Sequence, residues 1–176
     1  PDPEPEIGVG GTTTTLAQQG SCGGSNSTLN CPAGYVAVGY QGQTGAWFDH
    51  IKLVCQELLS DGSLGATTTT GANGWSNSGN NVGPYTCAAG NVMVGARVRA
   101  GNHMDYVQGR CMSVSDVVAG SAIGYSSSAT GMGNSGGGNN YGDQICPAGQ
   151  AITGMVGSNA QYACRVNWVC SNLTNN

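Results

Sequence analysis

The sequence predicts an all-β domain made of three copies of one unit, stapled by disulfides and closed into a three-sided ring with one sheet per side. Three observations predict it. Cysteines recur at one spacing, with Cys31 and Cys55, Cys87 and Cys111, and Cys146 and Cys170 each 24 positions apart. Charged residues are only 8% while glycine is 31 of 176 residues, a composition poor in the Lys and Glu from which exposed helix faces are built. β-branched runs and period-two apolar patterns fill the stretches between Gly/Asn clusters.

Each unit reads the same way along the chain. "VGGTTTT", "LGATTTT" and "IGYSSSAT" carry Gly10, Gly65 and Gly124 and open the units, and the β-branched threonines suit strands. "CPAGYVAVG", "CAAGNVMVG" and "CPAGQAITG" follow, with Gly34, Gly90 and Gly149 three residues after the cysteine and Gly39, Gly95 and Gly154 eight after. Val36, Val38 and Tyr40, and Val92, Val94, Ala96 and Val98, alternate as in half-buried strands. Ahead of the closing cysteines, Ile51 and Leu53, Val107, and Val166 with Trp168 share that cysteine's face. "GANGWSNSGNN" and "GMGNSGGGNNYG" read as loops. The units span about 9–60, 61–118 and 119–176 of a single domain. A β-trefoil would need shorter units.

Three bridges are expected from the repeat: Cys31–Cys55, Cys87–Cys111 and Cys146–Cys170, each joining the first and last strand segments of its unit. Cys22 and Cys164 remain. An internal bridge between them would tie the first unit to the last; two free thiols or an intermolecular bridge are the other possibilities. Eight cysteines in so uncharged a chain suggest an oxidising compartment, so a secreted, extracellular protein is expected. With two histidines and no Cys-x-x-Cys pair, neither a metal site nor a cofactor is expected.

Five Lys/Arg against nine Asp/Glu, net charge −4, argue against a nucleic-acid partner. No apolar run approaches the ~18 residues of a membrane span. "PDPEPEIG" reads as a processed start, with residues 1–8 an arm. Such an arm could pair with a neighbour's strand and give self-association, although its Pro/Glu content favours disorder.

The segments before the closing cysteines carry the candidate chemistry. They are "GAWFDHIKLVC" (Gly45 to Cys55), "GNHMDYVQGRC" (Gly101 to Cys111) and "AQYACRVNWVC" (Ala160 to Cys170). The first two are Gly-x-x-x-Asp before a strand; in the third, Cys164 stands where Asp49 and Asp105 stand. A carboxylate accepts strong hydrogen bonds from hydroxyls, glycine permits close backbone approach, and an aromatic ring covers an apolar sugar face.

Gly-x-aromatic-aliphatic-Asp followed by a strand resembles the sugar-binding loop of jacalin-related lectins, whose fold is the β-prism. The cysteine frame with its threefold "CPAG" opening resembles vitelline membrane outer layer protein I, another β-prism. The lectin resemblance implies a glycan partner. Asp49 would accept from sugar hydroxyls, with Gly45, Trp47 and Phe48 lending backbone and a stacking face, and Gly101, His103, Met104 and Asp105 would form a second site. A further Gly-rich loop would complete each; "GVGG" at Gly8 to Gly11 and "GSLGA" at Gly62 to Ala66 are candidates.

Other readings compete. An Asp before a strand often bonds its own loop, which would leave a structural protein of a matrix, coat or filament. A glycan-active enzyme would need a carboxylate pair, but Asp49 and Asp105 are symmetry mates on different units, and His50 and His103 lack a neighbouring nucleophile motif; no enzyme is expected. Trp75 is an exposed binding aromatic or a satellite-core residue, and Trp168 is core. Asn26-Ser27-Thr28 and Asn172-Leu173-Thr174 match the glycosylation pattern.

Overall fold

The computed structural model describes residues 6–120 and 124–175. Its strands form three antiparallel sheets. Sheet I runs β1 (Ile7–Thr15), β14 (Arg165–Asn175), β13 (Gln150–Ser158), β3 (Asn26–Asn30), with β2 (Gln19–Gly20) also on β14. Sheet II runs β6 (Leu64–Asn73), β5 (Phe48–Leu58), β4 (Tyr35–Thr44), β7 (Asn80–Thr86). Sheet III places β10 (Ser127–Ser128) and β11 (Met132–Gly133) on β9 (Met104–Ser113), followed by β8 (Asn91–Ala100) and β12 (Asn139–Ile145). A helical turn, α1 (Val114–Val118), is capped by Ser113, whose Oγ accepts from the Asp116 N–H, and it buries Val114 and Val117.

The three-sided all-β architecture is the one expected, a β-prism, but a sheet is not a sequence unit. Each sheet takes its central hairpin from one cysteine-framed segment and its outer strands from the segment that follows. Thus β6 and β7, which precede Cys87, pair with β5 and β4. The first outer strands, β1 and β3, pair with β14 and β13 of the last hairpin and so close the ring. Ile7 and Gly8, read as arm, belong to β1, because Ile7 and Val9 pack on an apolar cluster. Residues 1–5 of the arm lie outside the described residues.

This exchange changes the role of the bridges. Cys31 continues β3, its N–H donating to the Thr153 carbonyl at 2.8 Å, whereas its partner Cys55 lies in β5. Cys87–Cys111 likewise joins the end of β7 to β9, and Cys146–Cys170 the end of β12 to β14. Each bridge therefore staples the outer strand of one sheet to the second strand of the next, at the three corners. The remaining pair is Cys22–Cys164.

β4, β8 and β13 touch one another pairwise and line the axis. Around them the main core gathers Tyr40, Phe48, Ile51, Leu53, Met104, Val107, Met155, Val166 and Trp168, all fully buried. Val36 and Val38 lie in a second cluster while Tyr40 lies in the main one, and Val92 and Val94 are split from Ala96 and Val98 in the same way. The alternation expected along these strands breaks because a bulge falls between Ala37 and Gly39, and between Met93 and Gly95. A Cβ at Gly39 would overlap the Tyr85 carbonyl of β7, and one at Gly95 the Gln144 carbonyl of β12. The recurrent glycine thus marks where adjacent backbones close in.

Tyr40 spans two sheets. Its hydroxyl donates to the Thr130 carbonyl at 2.6 Å and accepts from the Gly109 N–H at 3.0 Å. Burial pushes its pKa well above the ordinary tyrosine value, with the Gly109 hydrogen bond opposing. The folded chain thus keeps a proton that the unfolded chain releases above pH ~10. Its stabilisation is complete below that pH and declines above it. Denaturant midpoints should fall from about pH 10 upward. Tyr40→Phe should start about 1–3 kcal/mol lower at pH 8, with the buried Gly109 N–H stranded, and lose less at high pH.

Candidate functional site

Three loops meet at one end of the prism: residues 45–48, 101–103 and 159–163. The Met104 N–H donates to the Ala163 carbonyl at 2.8 Å, and the Ala163 N–H to the Phe48 carbonyl at 3.2 Å. Phe48 and Met104 are wholly buried beneath this junction, so their side chains anchor the loops and offer no surface to a ligand. The residues one position earlier come together as rings. Trp47 lies 4.8 Å from His103 and 5.7 Å from Tyr162, and His103 lies 5.0 Å from Tyr162, between centroids.

A second set of loops closes over the first, and it is neither of the two stretches expected for that part. Residues 74–79, 134–138 and 21–25 follow β6, β11 and β2 in turn. Each begins beside a left-handed glycine, Gly74, Gly133 or Gly20, with φ of 87°, 95° and 89°. A Cβ on these would strike the carbonyl of Asp49, Asp105 or Cys164 respectively. The three positions are thus structurally equivalent, and only glycine suits both the dihedral and the approach.

What the two loops do with the central residue differs in each third. Asp49 is 4% exposed. Its Oδ1 accepts from the Ser76 hydroxyl at 2.7 Å and the Ser78 hydroxyl at 3.1 Å, and Gly79 packs against Oδ2. His50 Nδ1 lies 2.9 Å from the Ser76 carbonyl and braces the same loop. In the last third, Cys22, two residues beyond Gly20 as Ser76 is beyond Gly74, bridges to Cys164. A covalent bond stands where Ser76 meets Asp49.

Asp105 is the open one. It is half-buried, and among the described residues no donor is bonded to its carboxylate. Gly137 and Gly138 pack against it, and a Cβ at either would come within 2.9 and 2.5 Å of carboxylate atoms. Arg99 holds that loop, Nε donating to the Gly137 carbonyl at 2.8 Å and Nη2 to Gly138 at 2.9 Å. The Asn134 N–H donates to the Asp105 carbonyl at 2.7 Å. Gly45 and Gly101 turn their loops tightly, donating to the Trp47 carbonyl at 3.0 Å and the His103 carbonyl at 2.9 Å.

Sequence reasoning missed Ser76, Ser78, Tyr162 and the 134–138 loop. Aligning positions relative to Asp49, Asp105 and Cys164 would have placed Trp47, His103 and Tyr162 together. Trp75 is exposed at 67%, and Trp168 is fully buried with Nε1 bonded to Gln19.

No protein-family model matches this chain, and no curated protein matches it in sequence. Its fold is that of jacalin-related lectins. Calystegia sepium agglutinin superposes with a TM-score of 0.61 at 13% identity, covering 92% of this chain and 97% of that one. Single-chain recombinant jacalin gives 0.59 at 10%, covering 91% and 95%. Malaysian banana lectin gives 0.56 at 11%, covering 92% and 99%.

Proposed function

We propose that the protein is a secreted carbohydrate-binding protein that holds a saccharide at Asp105, without metal and without making or breaking bonds. The observation that carries the reading is the open Asp105 carboxylate, set where a Gly-x-x-x-Asp loop meets a Gly-rich loop. A carboxylate so placed accepts from two vicinal hydroxyls, and the close glycine backbone leaves room for a ring. One neighbour of this fold, Calsepa lectin, is solved in complex with a biantennary N-glycan. The four disulfides suit an oxidising compartment, and among the described residues no helix is long and apolar enough to cross a membrane. The Asp49 site, in this reading, is latched by Ser76 and Ser78 and binds only when the 74–79 loop moves.

A glycan array on the oxidised protein tests the proposal. Asp105→Ala should cut the strongest signals about tenfold or more, the equivalent of one charged hydrogen bond. Asp49→Ala should leave the array pattern in place and lower thermal stability, because it strands two hydroxyls. An array without signal, or binding retained in Asp105→Ala, would refute the assignment.

A further inference from the structure

We propose that the ring cluster on the pseudo-threefold axis is a second saccharide contact, in which Trp47, backed by His103 and Tyr162 and flanked by Trp75, stacks on the C–H face of a β-1,4-linked gluco-configured pyranose. The inference rests on the saccharide reading above but on different atoms, since no carboxylate takes part.

Two of the three tryptophans are exposed at this end, Trp47 at 39% and Trp75 at 67%. The third is wholly buried and hydrogen-bonded through Nε1. In a chain only 6% aromatic, with a single Phe, large rings left in water at one place mark a contact surface. The Trp75 and Ser76 N–H groups both donate to the Gln161 carbonyl, at 2.9 and 2.7 Å, so the loop bearing Trp75 is fastened to the loop bearing Tyr162. His103 Nδ1 is buried with no partner among the described residues. Stacking between Trp47 and Tyr162 therefore positions that ring, and no hydrogen bond directs it.

The surroundings select the occupant. Asn77, Asn102 and Gln161 are exposed around the rings, and none of the chain's five Lys and Arg lies in the three ring-bearing loops or in residues 74–79. Flat rings edged by neutral amides suit a sugar whose hydroxyls are all equatorial, which leaves its faces to axial C–H bonds and its edge to the amides. An anionic bilayer or a nucleic acid would call for cations here. The backbone hydrogen bonds between the loops fix the rings in advance, so little ordering opposes binding.

The test is cellopentaose titrated into the oxidised protein while the three indole N–H resonances are followed by NMR. Those of Trp47 and Trp75 should shift and that of Trp168 stay, in the native chain and equally in Asp105→Ala. Trp47→Ala should weaken binding roughly five- to tenfold; Trp47→Phe, which keeps a ring, should retain most of it. If cellopentaose moves neither indole while the array still shows Asp105-dependent signals, the axial contact falls and the Asp105 reading stands. If the axial shifts occur and the array signal ignores Asp105, the Asp105 reading falls alone. Shifts on phosphocholine vesicles without any on cellopentaose would reassign the surface to lipid and overturn the proposal.

Discussion

Replacing Cys22 and Cys164 together by alanine lowers stability by about 4 kcal/mol, the largest single effect expected in the molecule. The bridge spans 142 positions, against 24 for each of the others. Loop-closure entropy rises with the logarithm of the enclosed length, and the three corner bridges shorten the path only in part. For a chain of this size the loss corresponds to a melting temperature lower by roughly 8–16 °C. The symmetry of the fold supplies the control. Cys22→Ser with Cys164→Asp installs the pair that Ser76 and Asp49 form in the first third. It should recover about 1 kcal/mol over the double alanine variant, the value of one hydrogen bond. A double alanine variant that melts within a few degrees of the native protein would mean that strand pairing of β1 and β3 with β14 and β13 closes the ring without the bridge.

The same bridge shows what the sequence could reveal. Cysteine spacing is a one-dimensional signal, so the threefold repeat, the corner bridges and the substitution of Cys164 for aspartate were legible. So was the face shared by Ile51, Leu53 and Cys55, because it depends on local periodicity. Strand partners were not. Nothing in "LGATTTT" says that it pairs with the hairpin before it, because the threonines are compatible with either neighbour and only closure of the ring decides. Bulges between Ala37 and Gly39 and between Met93 and Gly95, set against β5 and β9, broke the alternation, and the glycines there meet backbone of β7 and β12 more than forty residues away. At the site, the paired aspartates were legible as a pattern, but their unlike states were not. Whether a carboxylate is open or latched depends on the second loop, where "WSNSG" delivers two hydroxyls to Asp49 and "NSGGG" leaves Asp105 unbonded. The axial cluster was hidden for a different reason. Trp47, His103 and Tyr162 differ in type, so no shared residue marks them, and only their common offset from Asp49, Asp105 and Cys164 links the three loops.

Gln19→Met should cost about 3 kcal/mol although it changes little in volume, because Gln19 is the polar tie between two sheets. Its Oε1 accepts from Trp168 Nε1 at 2.8 Å, and its Nε2 donates to the carbonyls of Gly142 at 2.8 Å and Ala96 at 3.2 Å. Both side chains are wholly buried, so water cannot replace what is removed. Methionine fits the place: Met132, which precedes Gly133 as Gln19 precedes Gly20, is 1% exposed in sheet III. The deficit should therefore come from stranded hydrogen-bonding groups and not from a cavity. Double-mutant analysis isolates the share that belongs to the Trp168 bond. In Trp168→Phe the indole donor is absent, so adding Gln19→Met there should cost about 1 kcal/mol less than it does in the native chain. Denaturant midpoints of the four proteins supply the cycle. Equal costs in both backgrounds would mean that the Trp168–Gln19 hydrogen bond within sheet I contributes nothing, and would leave the loss to the Nε2 bonds to sheet III and to packing.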